Sequence, residues 1–288
     1  MNDAEAERIA REICAANNLT FIESAGKGAF KSVFHVKGAA GESYALKVIR
    51  NNSITALPRT LREIEALNRC NHPNIAQLYN ADTYKEGSAA YVYTLEDYLD
   101  GGTLAELITS HDGLDAATVR HIGVQLVDAL AHLVPLKLVH RDIKPENIMF
   151  RHGENSPILV DFGIVRDIDA TSLTQAFIGV GPGTPYYASP EQLNNQKSMI
   201  NWRSDQFGLG VTLCYAHLQM HPFQYPGEPL NSTETIIRVQ TRGQCNAEII
   251  RTLNTSGLGC IERMISVWPV HRYQSTVEMM SEWGGSVA

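Results

Sequence analysis

The chain has 288 residues, 44% of them hydrophobic, and a formal net charge of −7. That apolar content suffices for two modest lobes, and the acidic balance argues against general binding to nucleic acid or to anionic membranes. The cysteines, Cys14, Cys70, Cys214, Cys245 and Cys260, are odd in number and scattered, which speaks against a disulfide framework and for reduced thiols in the cytoplasm. The acidic start has no apolar core behind it, unlike a signal peptide, and no run reaches membrane-span length.

Along the chain, Ala6, Ile9, Ala10 and Ile13 recur at helical spacing and predict a short helix within residues 1–18, capped by Asp3 and ending near Asn17 and Asn18. Apolar runs at 19–22 and 33–36 flank Ala25-Gly26-Lys27-Gly28-Ala29-Phe30-Lys31-Ser32-Val33, where the glycines suit either a hairpin turn or a phosphate cradle. A further strand is predicted at Tyr44-Ala45-Leu46-Lys47-Val48. Pro58 then opens a helix to Cys70, with Leu61, Ile64 and Leu67 at helical spacing and Glu63 among its acids. Two more strands lead to Asp97. Residues 118–133 carry Val119, Ile122, Leu126, Leu130 and Leu133 on one helical face. The aperiodic stretch 164–188 has the length of a functional loop. Cys214, His217 and His221 fall at helical spacing, but a structural zinc wants four ligands and no fourth is evident nearby.

Two short motifs carry the chemistry. His140-Arg141-Asp142-Ile143-Lys144-Pro145-Glu146-Asn147 sets an acid five residues before an amide, and the run Ile158-Leu159-Val160 ends in Asp161-Phe162-Gly163, fourteen residues beyond Asn147. Two oxygen donors on separate turns suit Mg²⁺ better than a transition metal. With the glycine-rich segment, the strand ending in Lys47 and Ser189-Pro190-Glu191, these motifs resemble those of the eukaryotic-type (Hanks-type) serine/threonine protein kinases, in the family's order over residues 19–283. The resemblance implies an α+β, bilobal protein-kinase-like fold. A helical extension at 1–18 would precede a small β-rich N-lobe at 19–97 and a larger, mainly helical C-lobe at 98–288.

It further implies transfer of the γ-phosphate of ATP, with Mg²⁺, to Ser or Thr hydroxyls of a protein substrate. Asp142 would accept or orient the hydroxyl proton, Lys144 steady the transferring phosphoryl group, and Lys47 with Glu63 hold the nucleotide phosphates. Asn147 and Asp161 would hold the metal. The segment from Ala25 through Gly26, Lys27, Gly28, Ala29 and Phe30 would cover the nucleotide, Val33, Ala45 and Met149 would sandwich adenine, and Asp97 and Leu99 would offer backbone groups to its edge. Leu67, Leu78, His140 and Phe162 match the family's apolar column. Thr184 would dock substrate, and Thr174, with Thr171 and Ser172 behind it, is a candidate phosphosite for pairing with Arg141. Asp205 and a Glu191–Arg272 pair would be structural. Two departures stand out: Lys31 replaces the third glycine, and Glu96 stands behind adenine, where an acid is unusual. Either the register shifts by a residue there or the pocket is polar. An alternative, a pseudokinase scaffold, would be expected to lack Lys47, Asp142 or Asp161, and all three are present. A small-molecule phosphotransferase of similar fold would usually lack the platform from Thr184 to Glu191.

Overall fold

The computed structural model describes residues 2–27, 31–51, 64, 67–87, 89–161 and 185–284. A first compact unit runs to Asp100 and a second begins at Gly101.

In the first unit, β1 (Thr20–Lys27), β2 (Lys31–Lys37), β3 (Ser43–Asn51), β4 (Leu78–Glu86) and β5 (Ala89–Asp97) form one antiparallel sheet in the order β1-β2-β3-β5-β4. Strand alternation sends Phe34 and Val36, Leu46 and Val48, and Tyr91 and Tyr93 to one face, and they join a single core with Ala6, Ile9, Ala10, Ile13 and Cys14. Those last five belong to α1 (Asp3–Ala16), so the apolar stripe read from the sequence is the stripe that packs on the sheet. Its cap is Asn2 and not Asp3. The Asn2 side chain accepts the Glu5 N–H at 2.8 Å, while Asp3 sits inside the first turn, where a negative charge suits the helix dipole, and pairs with Lys27 at 2.5 Å. Polar contacts fix the helix at its flanks. Arg8 forks onto Glu86 at 2.6 and 2.7 Å, the Tyr91 hydroxyl donates to Glu5 at 2.9 Å, and the Tyr84 hydroxyl donates to Glu12. Of the helix predicted over 58–70, Ile64 and residues 67–70 are described; Ile64 and Leu67 are helical and buried, while Asn68 and Arg69 form a turn, so the helix stops short of the predicted end at Cys70.

The second unit carries α2 (Leu104–His111), α3 (Ala116–Leu133), α4 (Pro190–Leu193), α5 (Trp202–Leu218), α6 (Thr233–Gln240), α7 (Ala247–Thr255), α8 (Cys260–Met264) and α9 (Thr276–Trp283). A ribbon of β6 (Ile148–Met149) and β7 (Ile158–Leu159) lies among them in sequence. Helix α3 buries the predicted stripe from Val119 to Leu133, and it starts at Ala116 because Asp115 caps it, accepting the Thr118 N–H at 2.9 Å. A side chain at Gly123 would put its Cβ 2.1 Å from the Trp283 ring, so this glycine is the seat for the indole of α9. Helix α5 is buried continuously from Ser204 to Cys214, the condition of a helix enclosed on all sides. Gly210 allows its close approach to Ile265 and Met264, where a Cβ would come within 2.7 Å of the Ile265 side chain. No helix among the described residues is long and apolar enough to cross a membrane.

Candidate active site

The loop from His140 to Asn147 hangs from the buried helix α5. The Asp205 carboxylate accepts the His140 N–H at 2.7 Å and the Arg141 N–H at 2.8 Å. Burial pushes Asp205 up to about 7, against the downward pull of those same donors. Arg141 takes a φ of 67°, a left-handed conformation that a non-glycine residue keeps only where its surroundings enforce it. The Gln192 amide adds a bond to the Arg141 carbonyl at 2.8 Å. His140 is fully buried and accepts the Asp142 N–H on Nδ1 at 3.3 Å, which leaves the proton on Nε2 to be donated to the Val160 carbonyl at 3.0 Å. Helix, loop and strand end are thereby tied around Asp142.

Lys144 and Asn147 stand beside the Asp142 carboxylate. Lys144 Nζ stands 3.4 Å from Oδ2. Asn147 Nδ2 donates to the same oxygen at 3.0 Å and to the Asp142 carbonyl at 2.8 Å. Pro145 opens the short 3₁₀ turn that brings Asn147 back toward Asp142, its φ already set for that turn. With both amide hydrogens committed to Asp142, the Asn147 amide oxygen faces away from it, as a ligand for a hard cation must. The β6–β7 ladder sets Asn147 against Val160, whose N–H donates to the Asn147 carbonyl at 3.0 Å. Asp161 follows at once, with a φ of 64°. An amide oxygen and a carboxylate on adjacent turns form a donor set that fits Mg²⁺, whose remaining positions water and phosphate oxygens fill. Met149, beside this pair in β6, bridges to Thr103.

In the first unit, Val33 lies opposite Lys47 across β2–β3. Across β3–β5, Lys47 faces Thr94 and Ala45 faces Glu96, with no slip along the ladder; the irregularity falls between Leu78 and Asn80 on β4. Glu96 therefore shares a face with Ala45 and Lys47, and its Oε2 stands 2.5 Å from Lys47 Nζ. The Asp97 carboxylate is turned back to the Gln77 N–H at 3.1 Å and the Tyr79 hydroxyl at 2.9 Å, and the Asp97 N–H donates to the Gln77 carbonyl at 3.1 Å. Leu99 is buried. The Tyr98 ring stacks on His35 of β2, centroids 3.9 Å apart and planes within 4°, a contact that no sequence motif announced. Ala25, Gly26 and Lys27 close β1, and Gly26 and Lys27 pair with Val33 and Ser32. Lys31 opens β2 opposite Ile49. Gly28, Ala29, Phe30, Glu63, Phe162, Thr171, Ser172, Thr174 and Thr184 lie outside the described residues.

The predicted Glu191–Arg272 pair is present, fully enclosed, with bonds of 2.7 and 3.1 Å. Burial alone would raise the Glu191 carboxyl, yet Arg272 and the Ser204 hydroxyl outweigh it and hold it below the usual carboxylate range. Residues 19–283 match the family described as the protein kinase domain.

The chain belongs to the protein kinase domain family.

Its relatives include the serine/threonine-protein kinase pkn3 of Myxococcus xanthus, 31% identical over 210 residues that make up 69% of this chain and 37% of that protein. The serine/threonine-protein kinase PrkC of Bacillus subtilis is 28% identical over 246 residues, 83% of this chain and 35% of its own length. The chain thus spans about a third of the length of these relatives. The crystal structure of Rad53 1–466 in complex with AMP-PNP, 22% identical, matches with a TM-score of 0.71 over 96% of this chain and 69% of that one. The expected α+β protein-kinase-like fold, a sheet-rich small lobe and a helical large lobe of Hanks type, is the fold observed. Within this kinase domain, Cys214, His217 and His221 turn to other partners. Cys214 Sγ donates to the Met220 carbonyl, the His217 ring nitrogens meet the Leu114 carbonyl and Ser256 Oγ, and His221 Nδ1 accepts the Phe223 N–H.

Proposed function

We propose that this kinase domain transfers the γ-phosphate of Mg-ATP to Ser or Thr hydroxyls of protein substrates. The observation that carries the reading is the surroundings of Asp142, a carboxylate on a backbone clamped by Asp205, with the Lys144 ammonium and the Asn147 amide both at its Oδ2. A preorganised acceptor and cation of this kind are what phosphoryl transfer asks of a protein, since the chemistry is mostly positioning and charge neutralisation.

In this reading Asp142 orients the acceptor hydroxyl and takes its proton, while Lys144 neutralises charge on the transferring group. Lys47, with Glu63 as its helix partner, holds the nucleotide phosphates. Asn147 and Asp161 would hold Mg²⁺, which when bound neutralises the phosphate oxygens. Ala25 to Phe30 would cover the nucleotide, Val33, Ala45 and Met149 would enclose adenine, and the backbones of Asp97 and Leu99 would meet its edge. Thr184 would dock the substrate, and Thr174, Thr171 and Ser172 would be phosphate acceptors. The lobes would divide as 19–97 and 98–288, after an extension at 1–18. Five unbridged cysteines fit a reducing compartment such as the cytoplasm.

Incubating wild type and Asp142→Asn with labelled Mg-ATP and a basic protein substrate tests the reading. The variant should bind ATP and lose about 10²- to 10⁴-fold in kcat, the usual worth of a general base. Equal turnover by the two proteins would overturn it, and mass spectrometry of the same samples locates any phosphate acquired within 164–188.

A further inference from the structure

The ladder between β3 and β5 puts Ala45, Lys47, Thr94 and Glu96 on one face of the sheet, with Lys47 and Glu96 as diagonal neighbours. Diagonal neighbours in an antiparallel pair lie about 7–8 Å apart at their backbones, within reach of two long side chains. Here the reach is made, with Nζ and Oε2 2.5 Å apart and side-chain exposures of 10% and 15%. The other carboxylate oxygen accepts the Thr94 hydroxyl at 2.7 Å, from two residues back on the same strand. Glu96 is therefore held by its own strand before it holds anything else. A charge pair so poorly hydrated is screened little by salt or water, and an ammonium drawn out of water keeps its proton only beside a counter-charge.

We propose that Glu96 is a positioning residue for Lys47, fixing the ammonium where the nucleotide phosphates are bound. The inference rests on the reading of Lys47 as the phosphate-binding lysine. It goes beyond that reading by making the sheet, and not only the helix that carries Glu63, the source of the counter-charge. A partner mounted on the strand next to β3 moves with β3. The place of Lys47 is then set in part by strand pairing.

The test is a mutant cycle in the full chain, read by ATP binding in an Asp142→Asn background and by kcat and KM for ATP in the active protein. Glu96→Gln should weaken ATP binding and lower kcat by about tenfold or more. In a Lys47→Met background, Glu96→Gln should have no further effect on ATP binding, because the group it positions is gone. The proposal is overturned if Glu96→Gln leaves ATP binding and kcat unchanged, or if it weakens binding equally with and without Lys47, as a purely structural residue would. Unfolding midpoints accompany each variant. Should Glu96→Gln fail to fold, Glu96→Asp keeps the charge, retracts it by one methylene and enters the same comparison. Wild type that binds ATP but transfers no phosphoryl group would sink the kinase reading and leave the binding arm of the cycle to decide the role of Glu96.

Discussion

Arg272 is a cation with no exposed surface, held by the Glu191 carboxylate, the Ser266 carbonyl at 2.7 Å and the Arg203 carbonyl at 2.8 Å. Arg272→Met would leave the Glu191 carboxylate enclosed without its counter-charge, a loss of about 3–5 kcal/mol. The expected result is a lower urea midpoint with an unchanged m value, and a midpoint equal to wild type would contradict the assignment. This pair joins residues 81 positions apart, yet it was legible because the family resemblance pairs the acid of Ser189-Pro190-Glu191 with an arginine near the end of the domain. The Lys47–Glu96 contact was not. It depends on which residue of β5 falls diagonally to Lys47, and that follows from strand register, which a motif scan does not see. The cap of α1 failed differently. Asn2 and Asp3 are both good caps in adjacent positions, and the spacing from Asn2 to Glu5, an amide three residues before an acid, was the signal that separates them.

At the scale of elements, the apolar faces of α1 and α3 were readable because each packs one stripe, so period and burial coincide. Helix α5 has no such stripe, being enclosed throughout its middle, and its place came from the resemblance alone. The two-residue strands β6 and β7 are too short for any period to register, although they set Asn147 beside Val160. Since Ile9 is wholly buried between α1 and the sheet, Ile9→Ala should cost about 2–5 kcal/mol through lost burial and the cavity left behind. Chemical denaturation measures it, and a change within about 0.5 kcal/mol, the size of a surface substitution, would show that α1 is not integral to the first unit's core.

For the molecule as a whole, His221 is a fully buried group whose titration bears on acid stability. Burial holds its pKa down from 6.5 to about 3, and its Nδ1 is occupied by the Phe223 N–H. The unfolded chain takes up this proton as pH falls below 6.5 and the native state does not, so the contribution is complete above 6.5 and lost progressively down to about 3. Wild type should lose more stability than His221→Gln between pH 7 and pH 4, by urea unfolding at each pH, with an unchanged difference as the contrary result. A last consequence belongs to Asp205. It grips His140 and Arg141 by their amide hydrogens, which every residue but proline supplies. That grip does not itself depend on which side chains stand at the two positions, whereas the His140 ring adds ties of its own to the Asp142 N–H and the Val160 carbonyl. An anchor of the turn thus sits on a helix more than sixty residues downstream.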